Sequence, residues 1–208
     1  MSSSTYKLDD AALNSFGGTG NSGNYSLTSS GGEAFIGPGA STTYKFNAGY
    51  VAQLDHSITL SLDSLTKTIP AVTPGTSQNA STTVSVFTDA AGYLLSARYD
   101  KPLTHTISTA TTIADNANSI ASPGLWSEGS TKGFGFTLTS GTNLESKWGT
   151  NPAYKYAAFT TTDTTIHDQP SYVNAYDTTV IQYRLDVNPD QLAGSYRDVV
   201  TYSAVVKP

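Results

Sequence analysis

The last stretch of the chain, Leu192-Ala193-Gly194-Ser195-Tyr196-Arg197-Asp198-Val199-Val200-Thr201-Tyr202-Ser203-Ala204-Val205-Val206, carries the reading of the fold. Ala193-Gly194 supplies a tight turn and Tyr196 opens a final strand. Side chains along a strand alternate between its faces, so Val200, Tyr202, Ala204 and Val206 line one of them. The same period of two recurs upstream, in Ile181, Tyr183, Leu185 and Val187, in Phe134, Phe136 and Leu138, and in Ile58, Leu60 and Leu62. Thr82 to Thr88 and Gly92 to Tyr99 read as two more strands joined by the short turn Asp89-Ala90-Ala91. Pro70 through Gln78 is turn material centred on Pro74-Gly75, and residues 101–131, rich in Thr, Asn and Ala, read as a long irregular excursion. No segment keeps a helical period over three turns, and Asp190-Gln191-Leu192 after Pro189 allows one short helical turn at most. Regularly spaced strands with Gly, Pro and Asn turns specify an all-β fold, an antiparallel β-sandwich over residues 56–208.

Residues 1–55 follow another rule. Tyr6-Lys7-Leu8, Tyr25-Ser26-Leu27 and Tyr44-Lys45-Phe46 recur with a period of 19, and Phe16, Phe35 and Leu54 follow each Tyr at a fixed distance. Gly17 to Gly23 and Gly37 to Ser41 read as loops between the units. Each unit is then a short strand beginning at its Tyr, a turn, a second short strand near the Phe, and a loop. Nineteen residues are too few for an autonomous core, so the units must share one.

Composition narrows the function classes. The 208 residues carry a net charge of −5 and only 13% charged side chains. No basic run exists to displace counterions from phosphates, which argues against nucleic acid as a partner. Ser and Thr number 57 and Tyr 13, residues that suit pleated, half-buried surfaces. Cys is absent, which removes disulfides as a route to stability, but a chain of this length can bury a sufficient core without them. No stretch approaches the roughly 20 apolar residues that span a bilayer. The composition is that of an extracellular or cell-surface protein. Met1 reads as a start placed before a mature end at Ser2, so an export signal of about 7–15 apolar residues is expected upstream in the gene.

Several of these stretches resemble known families. Thr73-Pro74-Gly75-Thr76 with Val84-Ser85-Val86-Phe87-Thr88-Asp89-Ala90-Ala91-Gly92-Tyr93 resembles a strand pair of secreted bacterial surface β-sandwiches, and Lys147-Trp148-Gly149 continues the pattern. The closing stretch is similar to the AGxYxDxVxY hairpin of spore-coat-U-like fibre subunits and WxL-type wall-binding proteins. The Tyr/Gly units resemble repeats in surface proteins of candidate-phylum bacteria. The resemblance implies a surface sandwich with a structural or adhesive role, assembling with copies of itself or with cell-surface components. Two features depart from it: the paired cysteines of donor-strand pilus subunits are missing, and Trp148 is followed by Gly149 and Thr150 instead of a WxL signature.

Candidate sites are few. A Ser-His-Asp triad needs its nucleophile on a strained turn, and no G-x-S-x-G stretch occurs, so His56, His105 and His167 read as surface histidines and no catalysis is expected. No cofactor is expected either. Ca2+ is the one metal with hard oxygen donors available, from Asp177, Asp186, Asp190 and the loop Asp115-Asn116-Ala117-Asn118, but the roughly 12-residue loop with alternating ligands is missing. Solvated turn residues are the simpler account. Trp126, Trp148, Tyr154, Tyr156, Tyr172 and Tyr176 are candidates for a glycan-binding or interface face, weighed against strand aromatics that merely build the core. Val199 to Val206 has no internal charge and no Pro, so it is a candidate open edge, and Tyr6-Lys7-Leu8 is a candidate arm that could pair with it in another copy.

Overall fold

A computed structural model describes residues 18–22, 25–29, 37–40, 45–48 and 56–207. The chain separates into two compact units, Met1–His56 and Ser57–Pro208. No described helix is long and apolar enough to cross a membrane.

In the first unit β1 (Gly18–Ser22) pairs antiparallel with β2 (Tyr25–Ser29), and β3 (Gly37–Ala40) with β4 (Lys45–Ala48). The Gly-rich runs expected to be loops are therefore the first strands of two hairpins. Gly18 and Gly37 open them with the spacing of 19 seen in the sequence. Register places Ser22 opposite Tyr25 at one end of the first pair. β2 and β3 are neighbours. Tyr6, Phe16, Phe35, Tyr44 and Leu54 lie outside the described residues.

The second unit is a β-sandwich. One antiparallel sheet runs β10 (Gly133–Ser140), β13 (Asp177–Asp186), β6 (Gln78–Thr88), β5 (Ile58–Leu62); the other runs β12 (Thr164–Gln169), β7 (Gly92–Tyr99), β15 (Val200–Lys207). The alternating apolar positions face inward as their period requires: Val84 and Val86, Leu95 and Ala97, Phe136 and Leu138, and Ile181 are each at most 2% exposed. β6 and β7 are consecutive but do not pair. Asp89-Ala90-Ala91 carries the chain from one sheet to the other, because both strands must turn an apolar face toward the same core. Thr88 holds that arch, its hydroxyl accepting from the Ala90 N–H at 3.1 Å and donating to the Ser57 carbonyl at 2.7 Å.

The excursion at 101–131 contains only the two-residue strands β8 (Thr104–His105) and β9 (Gly124–Leu125). β8 pairs with β14 (Tyr196–Arg197) and β9 with β11 (Lys155–Tyr156). The final strand thus starts at Val200, and Tyr196 belongs to a separate short pair. Residues 190–192, where the sequence allows one helical turn at most, form no helix, and a 3-10 turn forms at Ser146–Trp148.

The two long sides of the sandwich differ. On the β10–β12 side, Phe136 and Ala157 exchange backbone bonds of 2.9 Å in both directions, which covers the edge of β10. Trp148 Nε1 donates to the Ile166 carbonyl at 3.1 Å and the Asp168 N–H donates to Glu145 at 2.5 Å, which occupies the edge of β12. Trp148 and Phe159 seal this side, Phe159 stacking on Phe136 with centroids 4.1 Å apart. On the opposite side β5 and β15 run near one another, and their inward residues Ile58, Leu60, Leu62, Val200, Tyr202 and Ala204 are only partly buried.

Candidate functional site

The root of β15 explains the closing motif residue by residue. Tyr196 stands edge-on against His105, with ring centroids 5.0 Å apart. His105 is buried, a correction to its expected surface position. Its Nδ1 accepts from the Ile107 N–H at 3.1 Å and the Ser108 N–H at 2.8 Å, so its proton sits on Nε2, which faces the Ala193 carbonyl at 3.4 Å. Gly194 lies at φ 149, and a Cβ there would fall 2.2 Å from His105 Nε2. Gly194→Ala therefore meets both a strained backbone and a ring held in place by two backbone N–H groups. It is expected to lower stability by about 2 kcal/mol, read from a urea melt; an unchanged midpoint would contradict this packing. Val199 and Asp198 line an open depression of about 450 Å3 with Asp100, Lys101, His105 and Arg197.

Among the described residues β15 pairs on one side only, with β7. The Asp100 N–H donates to the Val199 carbonyl at 3.0 Å, so by the alternation of an antiparallel ladder Thr201, Ser203, Val205 and Lys207 bond to β7. The backbone groups of Val200, Tyr202, Ala204 and Val206 point the other way, along the free edge. Their side chains turn into the sandwich. The Tyr202 hydroxyl donates to that of Tyr183 at 2.7 Å, which donates to Thr82 at 3.1 Å, pinning the strand across the core. No Pro, bulge or internal charge blocks this edge, and Val205 is 61% exposed on the outer face. The candidate arm Tyr6, Lys7, Leu8 lies outside the described residues.

The six candidate aromatics separate into three groups. Trp148 is a core residue, fully buried, and Tyr156 is almost fully buried outside the sandwich core, so neither presents a face to a ligand; this corrects their reading as binding aromatics. Trp126 and Tyr154 are half-buried. The Arg184 guanidinium lies 5.3 Å from the Trp126 ring and 5.4 Å from that of Tyr156, and it pairs with Glu128, so these rings clamp β9 and β11 onto the outer face of β13. Tyr172 and Tyr176 are exposed, and Tyr176 tilts against Phe87 with centroids 5.5 Å apart.

All the polar candidates but Asp190 make internal bonds. Asp177 accepts from the Tyr93 hydroxyl at 2.9 Å and from Thr142 at 2.8 Å. Asp186 accepts from the Gly75 and Val187 N–H groups at 3.0 and 2.7 Å and from Lys132 at 2.9 Å. Asn116 accepts from both nitrogens of Asn118, the Asp115 carboxylate accepts from Tyr99 at 2.6 Å, and Asp190 is exposed. Among the described residues no three His, Asp or Glu side chains are arranged to hold a metal. His56 is half-buried.

His167 is wholly buried, a second correction, and it anchors a polar end of the core. The register shift between Thr165 and His167 turns both Ile166 and His167 inward. The loop after β10 closes over this end. Asn143, at φ 53, donates to Gln169 at 2.9 Å, and Glu145 accepts from His167 Nδ1 at 3.2 Å and from the Asp168 N–H. Burial opposes the Glu145 charge, but its bonds to His167 and the backbone N–H groups outweigh that and hold its carboxyl below the ordinary range. A lowered folded value means the contribution is complete above the ordinary carboxylate range and is lost as pH falls through the lowered one. Glu145→Ala is expected to cost about 2 kcal/mol at neutral pH, with the gap to wild type narrowing in urea melts as pH falls below the ordinary carboxylate range. A gap that stays constant with pH would contradict it.

Comparison with known proteins adds no relative: no family model matches the chain, and no curated protein is significantly similar to it. Sequence reasoning did not bring Asp100 and Asp198 together, and it placed His105 at the surface. Asp198 is the Asp of the closing motif, but its partners lie in the irregular excursion and at the end of β7, where no periodicity pointed to them.

Proposed function

We propose that the protein is a non-catalytic structural or adhesive protein of the cell surface, exported, whose copies join by strand addition. The observation that carries this reading is β15, a strand with one partner among the described residues, no internal charge and no Pro, at a side where the core is only half covered. An extended segment laid along such an edge gains main-chain hydrogen bonds, and alternate side chains can enter the seam between β15 and β5. The segment assigned to that place is the stretch around Tyr6-Lys7-Leu8 of another copy. A head-to-tail contact of this kind does not close, so it propagates as a filament. The histidines support the non-catalytic part, since His105 and His167 are buried and committed to structural bonds.

Deleting residues 2–8 tests the arm. Electron microscopy of the purified full-length chain is expected to show filaments, and the shortened chain is expected to stay folded and lose them. Full-length protein that remains monomeric at high concentration would sink the reading. A second reading, a carbohydrate-binding surface, is favoured by the exposed Tyr172 and by Tyr176, exposed beside Phe87. A glycan array, with a Tyr172→Ala/Tyr176→Ala control, separates the two.

A further inference from the structure

The last rungs between β7 and β15 converge on a single N–H. The Val199 N–H is aimed at Asp198 Oδ1, 2.6 Å away, and at Asp100 Oδ1, 3.2 Å away, while the Asp100 N–H donates back to the Val199 carbonyl at 3.0 Å. The two carboxyl groups thus converge on one N–H, each with its Oδ1 within 3.2 Å of the Val199 nitrogen. Asp198 Oδ2 is shut off from solvent and has no other partner among the described residues. Two carboxylates this close cannot both ionise without mutual repulsion, whereas one proton between them converts the repulsion into an O–H···O bond. Lys101 acts on the pair without closing an ion pair: its charge draws the Asp100 carboxyl down, and its backbone N–H is directed at the Asp198 carboxyl. Lys101 after β7, His105 on β8 and Arg197 on β14 line the same depression, but none of the three forms an ion pair with either Asp among the described residues. From β7, the Tyr99 hydroxyl donates to the Asp115 carboxylate.

We propose that Asp100 and Asp198 form a proton-operated clasp on the root of β15: a shared proton bonds the pair and seats Val199 on β7, and its loss to solvent loosens those first rungs. Burial, and then the bond to Asp100, push the Asp198 carboxyl up to about 8, while the same bond holds Asp100 below its ordinary range. The sign follows from linkage. The unfolded chain releases both protons in the ordinary carboxylate range, and the folded chain keeps one to about 8. The clasp therefore stabilises most at the acid end of that window, weakens as pH rises through it and changes no further above it, while the contribution of the lowered Asp100 is lost in stronger acid. This is a conformational device of the fold, and its test involves no assembly.

The test is a pH titration of the Asp carboxyl carbons by NMR, with amide exchange at Val199 to Thr201, on wild type and on Asp198→Asn. In the variant the side-chain amide can donate to Asp100 while its oxygen still accepts from Val199, which mimics the protonated clasp at every pH. Wild type is expected to show one Asp with a midpoint near 8. Its Val199 protection should fall roughly tenfold or more between about pH 6 and about pH 9.5, while Asp198→Asn stays flat. Ordinary midpoints for both carboxyls, or an equal loss of protection in the variant, would overturn the clasp.

Discussion

Trp148→Ala is expected to cost the Ser57–Pro208 unit about 4 kcal/mol, the largest loss from any single substitution considered for it. The ring is fully buried, stands 5.3 Å from Phe136, and closes the β10–β12 side of the sandwich. Truncation removes a large aromatic area and leaves a cavity between two sheets that cannot collapse onto it, since each is held by its own ladder. It also strips the Ile166 carbonyl of the indole N–H donor at 3.1 Å. Trp148→Phe separates the two effects: it keeps most of the volume and loses the bond, so about 1–2 kcal/mol is expected. Against a typical domain stability of about 5–15 kcal/mol, the alanine variant should unfold at much lower denaturant concentration. Chemical denaturation followed by tryptophan fluorescence from Trp126 measures both. A loss below about 1 kcal/mol for Trp148→Ala would mean that this side of the core is not sealed as described.

The second large effect concerns assembly and leaves the fold alone. Ser203 and Val205 bond to β7 and turn their side chains to the outer face, opposite Ser96 and Leu94. Lysines at both positions place charge along the edge with no core residue removed, which is the device natural edges use against further pairing. The double variant Ser203→Lys/Val205→Lys is expected to keep its stability within about 0.5 kcal/mol per site. It should also need a protein concentration at least roughly tenfold higher to form filaments, or form none. Filaments at the wild-type concentration would show that any assembly uses another surface.

Much of the sandwich was legible because burial imposes a period of two. Ile58, Leu60 and Leu62, the Phe134–Leu138 alternation, and the run from Ile181 to Leu185 all face the core as their spacing requires. Periodicity identifies a strand but not its neighbour, so the passage of Asp89-Ala90-Ala91 from one sheet to the other could not be told from a hairpin. The Gly-rich strands β1 and β3 carry no apolar alternation, and only their backbone pairing defines them. Aromatic rings suit both cores and exposed faces, which is why Trp148 and Tyr156 could not be separated from Tyr172 and Tyr176 by composition. His167 was hidden by the bulge: with Ile166 and His167 both inward, alternation assigns one of them to the wrong face. Asp100 and Asp198 stand nearly a hundred residues apart, and only the pairing of β7 with β15 brings them together.

The central claim, that the arm of one copy lies along β15 of the next, is tested most directly by cross-linking. The chain has no cysteine, so introduced thiols report on one contact at a time. Protein carrying Ser203→Cys is mixed under mild oxidation with protein carrying a cysteine at Ser3, Thr5 or Lys7, positions that share one face of an extended arm. The account predicts that at least one of the three mixtures yields disulfide-linked dimers containing one chain of each kind, and that putting both cysteines in one chain yields a ladder of longer species. No cross-link in any mixture, or a bond that forms only within a single chain, would contradict it.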